Sequence, residues 1–428
     1  MKILLKNATL LPEYGFGSKQ VNVLIEDKKI AEITEKIPEA VVDQTVDCKG
    51  NLLMPGFYNA HCHAAMTLFR GYGEDLPLQR WLEERIFPAE DRLTSESVSV
   101  ASRLAIAEML RNGVVSFSDM YMFEEETSEI VLQTGIKANL SRCIVSFDPT
   151  ADMKNDFRLH EALALAEKYH NREDGRLKID LSLHAEYTNV LHACEYVGRV
   201  AKERGMLMQL HLSETEKEHR DCLARHGKTP TEFFNDLGVF DTPTLAAHCV
   251  WVEDRDIEIL AKKGVTAVHN PISNLKLGSG VMPIRRMLDA GVRVALGTDG
   301  VASNNRLDLL REYQTAAILH KGISRDPASV TAQELLPLAT QNGALAQGRT
   351  DCGTVSVGTR ADLILLDRNA IHNIPCYDDY AMLAYSAAAS DVKMTMVDGR
   401  ILYQNGEYTS IDEERLRFDF KNVLSHYF

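Results

Sequence analysis

The chain has 428 residues, of which 45% are hydrophobic and 25% charged. That is the make-up of an ordinary globular protein with room for one large core and a smaller companion domain. Its formal net charge of −14 argues against a nucleic-acid or anionic-membrane partner, since both ask for a basic surface. No apolar run approaches the roughly 20 residues that cross a bilayer, and the opening residues 1–7 are too short and too soon interrupted for a signal peptide.

Taken in chain order, residues 1–55 carry short strand patterns at 3–5, 21–25 and 30–33, with Lys28 in a tight turn between the last two. An apolar run at 52–58 then reads as a buried strand that ends at His61-Cys62-His63. From there the pattern alternates. Further strand ends fall at Ser118-Asp119, Arg142, His184, His211, His248, His269 and Asp299, with amphipathic helical stretches such as 97–112, 159–170, 192–205 and 254–264 between them. Eight strand–helix units in this order predict an α/β fold, a (β/α)8 TIM-type barrel, whose site lies at the C-terminal ends of the strands. Past residue 350 short strands return at 353–355, 361–366, 392–397 and 400–403, with Asp398-Gly399 as a hairpin turn. The expected division is a discontinuous β-sandwich domain, residues 1–55 and 350–428, around a barrel of residues 56–349.

Cysteines at Cys48, Cys62, Cys143, Cys194, Cys222, Cys249, Cys352 and Cys376 are scattered, with no Cys-x-x-Cys pair. Neither a disulfide framework nor a zinc ribbon is expected, and free thiols suit a reducing cytoplasm. Self-association into a homo-oligomer is left open.

Residues i and i+2 of a strand face the same way, so His61 and His63 can grip one cation. With His211 from the fifth strand and Asp299 from the eighth they supply three nitrogens and one oxygen. This set suits one Zn²⁺, or less readily Fe²⁺ or Mn²⁺, with a position left for water. A cation so held lowers the pKa of its water toward neutrality. Glu214, three residues beyond His211, is the candidate proton carrier. His248 is placed to hold the water or a developing oxyanion, and Asp299 to touch the metal and accept the water proton. Cys62 and Cys249 adjoin site histidines but should point the other way. Glu216 and Glu218 read as solvated. A loop-shaping and a site role both stay open for His269. His160, His170, His192, His219, His226, His320, His372 and His426 are expected to be structural or exposed.

The motifs PGFYNAHCH (55–63), HLSE (211–214), AHC (247–249), HNPISNLKLGSG (269–280) and GTDGVASNN (297–305) resemble those of the amidohydrolase superfamily, and within it the methylthioadenosine/S-adenosylhomocysteine deaminase group. The resemblance implies His61, His63, His211 and Asp299 as ligands, Glu214 as proton shuttle and His248 as the water or oxyanion contact. It also implies a single metal, because two-metal relatives carry a carboxylated lysine where this chain has Ser182-Leu183-His184. His184 would contact the purine, Glu90 the ribose hydroxyls, and Arg142 a carboxylate or other tail on the 5′ substituent. One departure stands out. The family usually has His-Ala-Pro-Tyr-Thr after strand four, and here Glu186 replaces the proline, which removes a fixed φ and is expected to bring a carboxylate near the mouth. The implied reaction is hydrolytic deamination of an adenine nucleoside, a small-molecule partner, to the inosine-type product and ammonia. An aminohydrolase or chlorohydrolase acting on another aminated ring (guanine, pterin, triazine) is the alternative. A non-catalytic scaffold is disfavoured because every ligand residue is kept.

Overall fold

The computed structural model describes residues 1–15 and 19–427; the side chain of His426 lies outside the described set. Two nine-stranded sheets organise it.

The first sheet opens with β1 (Lys2–Thr9), β2 (Gln20–Glu26), β3 (Lys29–Thr34), β4 (Gln44–Asp47) and β5 (Leu52–Pro55). β1 pairs with β4 along residues 3–6 and meets β5 only at Thr9. Both lie on the same side of β1, so the sheet splits there into two layers. Alternating apolar residues explain the fold: Ile3, Leu5, Val21, Val23 and Ile25 turn inward and meet Leu53, Leu363 and Met394 in a core of their own.

The second sheet is the barrel: β6 (Phe57–Cys62), β7 (Val114–Tyr121), β8 (Lys137–Ile144), β9 (Leu177–Ile179), β10 (Leu181–Leu183), β11 (Met208–Leu212), β12 (Thr244–His248), β13 (Thr266–His269) and β14 (Arg293–Leu296). All pair in parallel in chain order, with β9 and β10 together in the fourth position. Asp180 divides that position; its carboxylate accepts from Asn139 Nδ2 and Gln209 Nε2 at 2.9–3.1 Å. The ring closes between β14 and β6 through Asp299 N donating to His61 O at 3.0 Å and Thr298 N to Asn59 Oδ1 at 3.0 Å. Helices clad the outside. Asp254–Lys263 shows the usual logic, with acidic residues in its first turn, lysines in its last and Gly264 at φ +66° to end it.

The chain returns to the first sheet as β15 (Leu363–Leu366), β16 (Val392–Val397), β17 (Arg400–Gln404) and β18 (Glu407–Tyr408). β15 lies antiparallel beside β5, which joins the two ends of the chain. The β16–β17 turn carries Asp398 at φ +47° and Gly399 at φ +71°, the left-handed pair that such hairpins need. The strand expected at 353–355 does not form: Gly353 takes φ +80° against the backbone of Gln341, and the chain bends there. The last helix, Glu413–Tyr427, packs on Ser95–Arg111 of the barrel. Among the described residues, no helix is long and apolar enough to cross a membrane.

Candidate active site

At the C-terminal mouth of the barrel, His61 is the penultimate residue of β6, His63 follows its end by one residue, His211 sits in β11 and His248 ends β12. The imidazoles of His61 and His63 stand edge to face, 4.9 Å apart, and His61 and His211 are also 4.9 Å apart. His63 Nδ1 lies 2.7 Å from Met120 O, and His211 Nδ1 lies 2.8 Å from His184 O. A carbonyl only accepts, so each Nδ1 carries the hydrogen and each Nε2 keeps its lone pair for the centre. Asp299 Oδ1 faces this centre, 3.2 Å from His63 Nε2 and 3.6 Å from His61 Nε2. Its other oxygen accepts from Ser273 Oγ at 2.6 Å and Ser303 Oγ at 3.0 Å.

The donor set fits a cation. His61, His63 and His211 each offer a nitrogen within 4.8 Å of the others, and so do the ligand atoms of His61, His248 and Asp299. His61 Nε2 is buried with no hydrogen-bond partner, a state that costs free energy unless something else engages it. Burial, and then the neighbouring imidazoles, hold His211 well below the usual histidine range. Burial likewise brings His61 down to about 4. Burial opposes the charge on Asp299, yet His61 and His63 hold its carboxyl well below the usual range. Against the pull of burial, Asp299 raises His63 to about 9; a cation between them would take the place of that proton. Imidazole nitrogens gathered round one carboxylate are what a divalent cation binds, and the cluster is a divalent-metal site.

Glu214 is buried one turn of loop past β11, and burial raises its pKa. Its Oε2 lies 3.8 Å from His248 Nε2, and its Oε1 accepts from Ser279 Oγ at 3.2 Å. His248 Nδ1 lies 2.8 Å from Asn274 Oδ1. The residues that end the strands are strained. Ser213, His248, Cys249 and Asp299 all take φ between +46° and +75°, a conformation that non-glycine residues hold only when their surroundings force it.

A cavity of about 440 Å³ opens over this centre. His63, His211, Glu214, His248 and Asp299 line its floor, and Glu90, Arg142 and His184 its walls. Glu90 Oε1 accepts from Tyr121 Oη at 2.7 Å, and burial lifts its pKa to about 7. His184 Nδ1 lies 3.0 Å from Thr188 Oγ1. Arg142 is already engaged, with Nε on Glu161 at 2.8 Å and Nη1 on Cys143 O at 2.7 Å.

Two expectations need correction. Glu186 does not approach the mouth. It is 3% exposed and turns away to accept from Arg225 and from His226 Nε2, the latter at 2.9 Å. Glu218 is not solvated: its carboxylate is buried and accepts from the backbone N–H of Ser213 (2.9 Å) and of Glu214 (2.7 Å). The Thr215-x-x-Glu218 spacing, a helix-start signature, was the signal available for it. Arg158 also lines the cavity and was not anticipated; nothing local in the sequence singles it out. His269 pairs with His320, Nε2 to Nε2 at 3.0 Å, and is absent from the cavity wall. That favours the shaping role.

A barrel with histidines and an aspartate converging at its strand ends is the architecture of the metal-dependent hydrolases. The profile of the amidohydrolase family matches residues 52–402, and the chain belongs to that family. It is 42% identical over 419 residues to a 5-methylthioadenosine/S-adenosylhomocysteine deaminase of Dictyoglomus turgidum, covering 98% of this chain and 97% of the relative. It is 44% identical over 417 residues to a 5′-deoxyadenosine deaminase of Methanosarcina mazei, covering 97% and 95%. Among solved structures, a zinc-bound adenosine deaminase from Xanthomonas campestris superposes with a TM-score of 0.92 at 31% identity, covering 99% and 98%.

Proposed function

We propose that this chain hydrolyses the exocyclic amine of an adenine nucleoside, S-adenosylhomocysteine, 5′-methylthioadenosine, adenosine or 5′-deoxyadenosine, to the inosine-type product and ammonia. The observation that carries the reading is the single cavity whose floor holds the metal cluster and Glu214 and whose walls hold Glu90, Arg142 and His184. The deaminases named above support it across nearly the whole chain.

In this reading His61, His63, His211 and Asp299 hold one Zn²⁺, and Ser182-Leu183-His184 at the fourth-strand end, where two-metal relatives carry a carboxylated lysine, supports a single ion. The ion, when bound, supplies Lewis acidity and an activated water for attack at C6. His184 and Glu90 set the ring and ribose so that C6 lies over the floor. Glu214, kept protonatable by burial, gives its proton to the ring nitrogen next to C6, then takes the proton of the new C6 hydroxyl and passes it to the departing amine, which leaves as ammonia. Asp299 accepts the first water proton and returns it to Glu214 at the end of the cycle, and His248 holds the oxygen that develops at C6. Arg142, with Arg158 beside it, meets a charged 5′ tail.

The division into residues 56–349 and a terminal β domain of 1–55 and 350–428 belongs to the same reading, supported by the separate core of the first sheet. So do a cytoplasmic location, which the eight free cysteines favour, and the absence of a nucleic-acid partner, which the net charge favours. Homo-oligomerisation is supported by apolar side chains left exposed at Ile371, Ile374 and Tyr377.

The test is ammonia release with loss of adenine absorbance on those four nucleosides and guanine, with protein of measured metal content. Turnover of the nucleosides is expected. Zinc-loaded protein inactive on all four refutes the reading.

A further inference from the structure

The segment after β13 reaches both proton-handling groups from behind. Asn274 meets His248 through its side chain. Five residues on, Ser279 donates through Oγ to Glu214 Oε1 at 3.2 Å. The two are tied together, since Ser279 N donates to Asn274 O at 2.8 Å. Ser279 is itself held: Trp251 Nε1 donates to its carbonyl at 2.7 Å, and Trp251 N donates to Ser213 O at 2.9 Å, one residue before Glu214. Gly280 makes the close approach feasible. Its φ is +123°, and a Cβ there would stand 2.8 Å from Val250 Cγ1. Ser279 is 4% exposed and faces a neighbouring hollow of about 350 Å³, not the substrate cavity.

We infer that Ser279 is a positioning residue that decides which oxygen of Glu214 carries the proton. A carboxylate has two equivalent oxygens until something distinguishes them. Here a hydroxyl occupies Oε1 from the side away from substrate, while Oε2 points toward His248. When Glu214 gains a proton, Oε1 continues as an acceptor and the proton sits on Oε2. From there it reaches the ring nitrogen and then the amine. Ser279 transfers nothing; it removes the unproductive rotamer and the unproductive protonation. The backbone of Glu214 is fixed separately by Glu218, so Ser279 acts on the side chain alone. The inference rests on Glu214 being the proton carrier proposed above.

The experiment compares wild type, Ser279→Ala, Ser279→Thr, Glu214→Gln and the Ser279→Ala/Glu214→Gln pair, each with metal content and thermal midpoint. Ser279→Ala should lose about tenfold in kcat, the scale of one hydrogen bond to a charged group, with KM and metal content unchanged. Ser279→Thr should recover most of that loss, its methyl directed into the hollow. In the Glu214→Gln background, Ser279→Ala should change nothing further, because groups acting as a unit are not additive. Wild-type kcat in Ser279→Ala, a loss confined to KM, no recovery in Ser279→Thr, or an undiminished tenfold loss on top of Glu214→Gln would each overturn the inference and leave the deaminase reading intact. Wild-type turnover in Glu214→Gln would instead remove the premise.

Discussion

At the scale of single residues, the proposed roles separate groups that hold the cation from groups that move protons. Glu214→Gln keeps the shape of the buried side chain and its contact with Ser279 but removes its proton chemistry. It should retain metal and lose turnover by a factor on the order of 10³; a rate near wild type would refute its role. His61→Ala removes a nitrogen that has no other partner, so metal content measured by atomic absorption should drop after dialysis. Arg142→Ala should weaken kcat/KM for a substrate with a charged tail by about 2 kcal/mol, or about thirtyfold, and leave adenosine nearly unaffected. Equal losses on both would show that Arg142 only braces Glu161 and the local backbone. Much of this floor was legible in the chain because strand-end chemistry is local: a histidine two residues after another, or an aspartate after Leu-Gly-Thr, declares itself. Glu218 was legible only through the helix-start spacing from Thr215, while Ser279 and Arg158 were not legible at all. The roles of those two arise only when loops from different strands meet, and a serine or arginine is unremarkable in isolation.

At the scale of elements, the turn at Glu186–Thr188 and the helix Glu216–His226 are joined by the buried Glu186. The turn carries the partner of His184, and the helix carries Glu218, which fixes Glu214. Glu186 therefore ties the wall that carries His184 to the segment that carries Glu214. Glu186→Ala should lower stability by about 2 kcal/mol, since one partner of a mostly buried ion pair is lost while Arg225 keeps some access to water; a chemical denaturation curve reads it. The helix Leu309–Ser324 offers a pH test. Glu312, fully buried, accepts from Ile272 N at 3.1 Å and Asn304 Nδ2 at 2.5 Å, and burial raises its pKa to about 8 from an ordinary value of 4.5. The folded state thus holds a proton that the unfolded chain releases. Its contribution to stability is full below about pH 4.5 and is lost as pH rises through 8. Replacing it with glutamine should flatten the fall in stability across that window; an unchanged slope would exclude the assignment. Element positions were mostly readable from periodicity, whereas the gap at Asp180 was not. A buried aspartate answered by Asn139 and Gln209 from the adjacent strands has no signature within its own strand.

At the scale of the whole molecule, a buried ionic seam joins barrel and terminal sheet. Lys137 in β8 contacts both oxygens of Asp362 at 2.5 Å and Asp398 at 2.6 Å, while Tyr58 Oη donates to Asp362 at 2.5 Å. Lys137→Met would leave Asp362 buried without its cation and should cost about 3–5 kcal/mol, seen as a lower unfolding midpoint; exchanging Asp362 for asparagine in the same protein should return part of it. That the two ends of the chain would share a sheet was readable from the strand patterns on either side of the barrel. The seam was not, because Lys137 and Asp362 are 225 residues apart.

The pairing of β5 with β15 sets a timetable. During synthesis β5 emerges early and its partner only some 300 residues later, so at roughly 5–20 residues per second its edge waits on the order of half a minute. For that interval Leu52, Leu53 and Met54 form an apolar, unpaired strand edge of the kind other chains can add to. Translation that stalls inside the barrel would leave nascent chains prone to cluster through this segment, and chaperone demand in the cell should follow the distance to residue 366 rather than the stability of the finished enzyme.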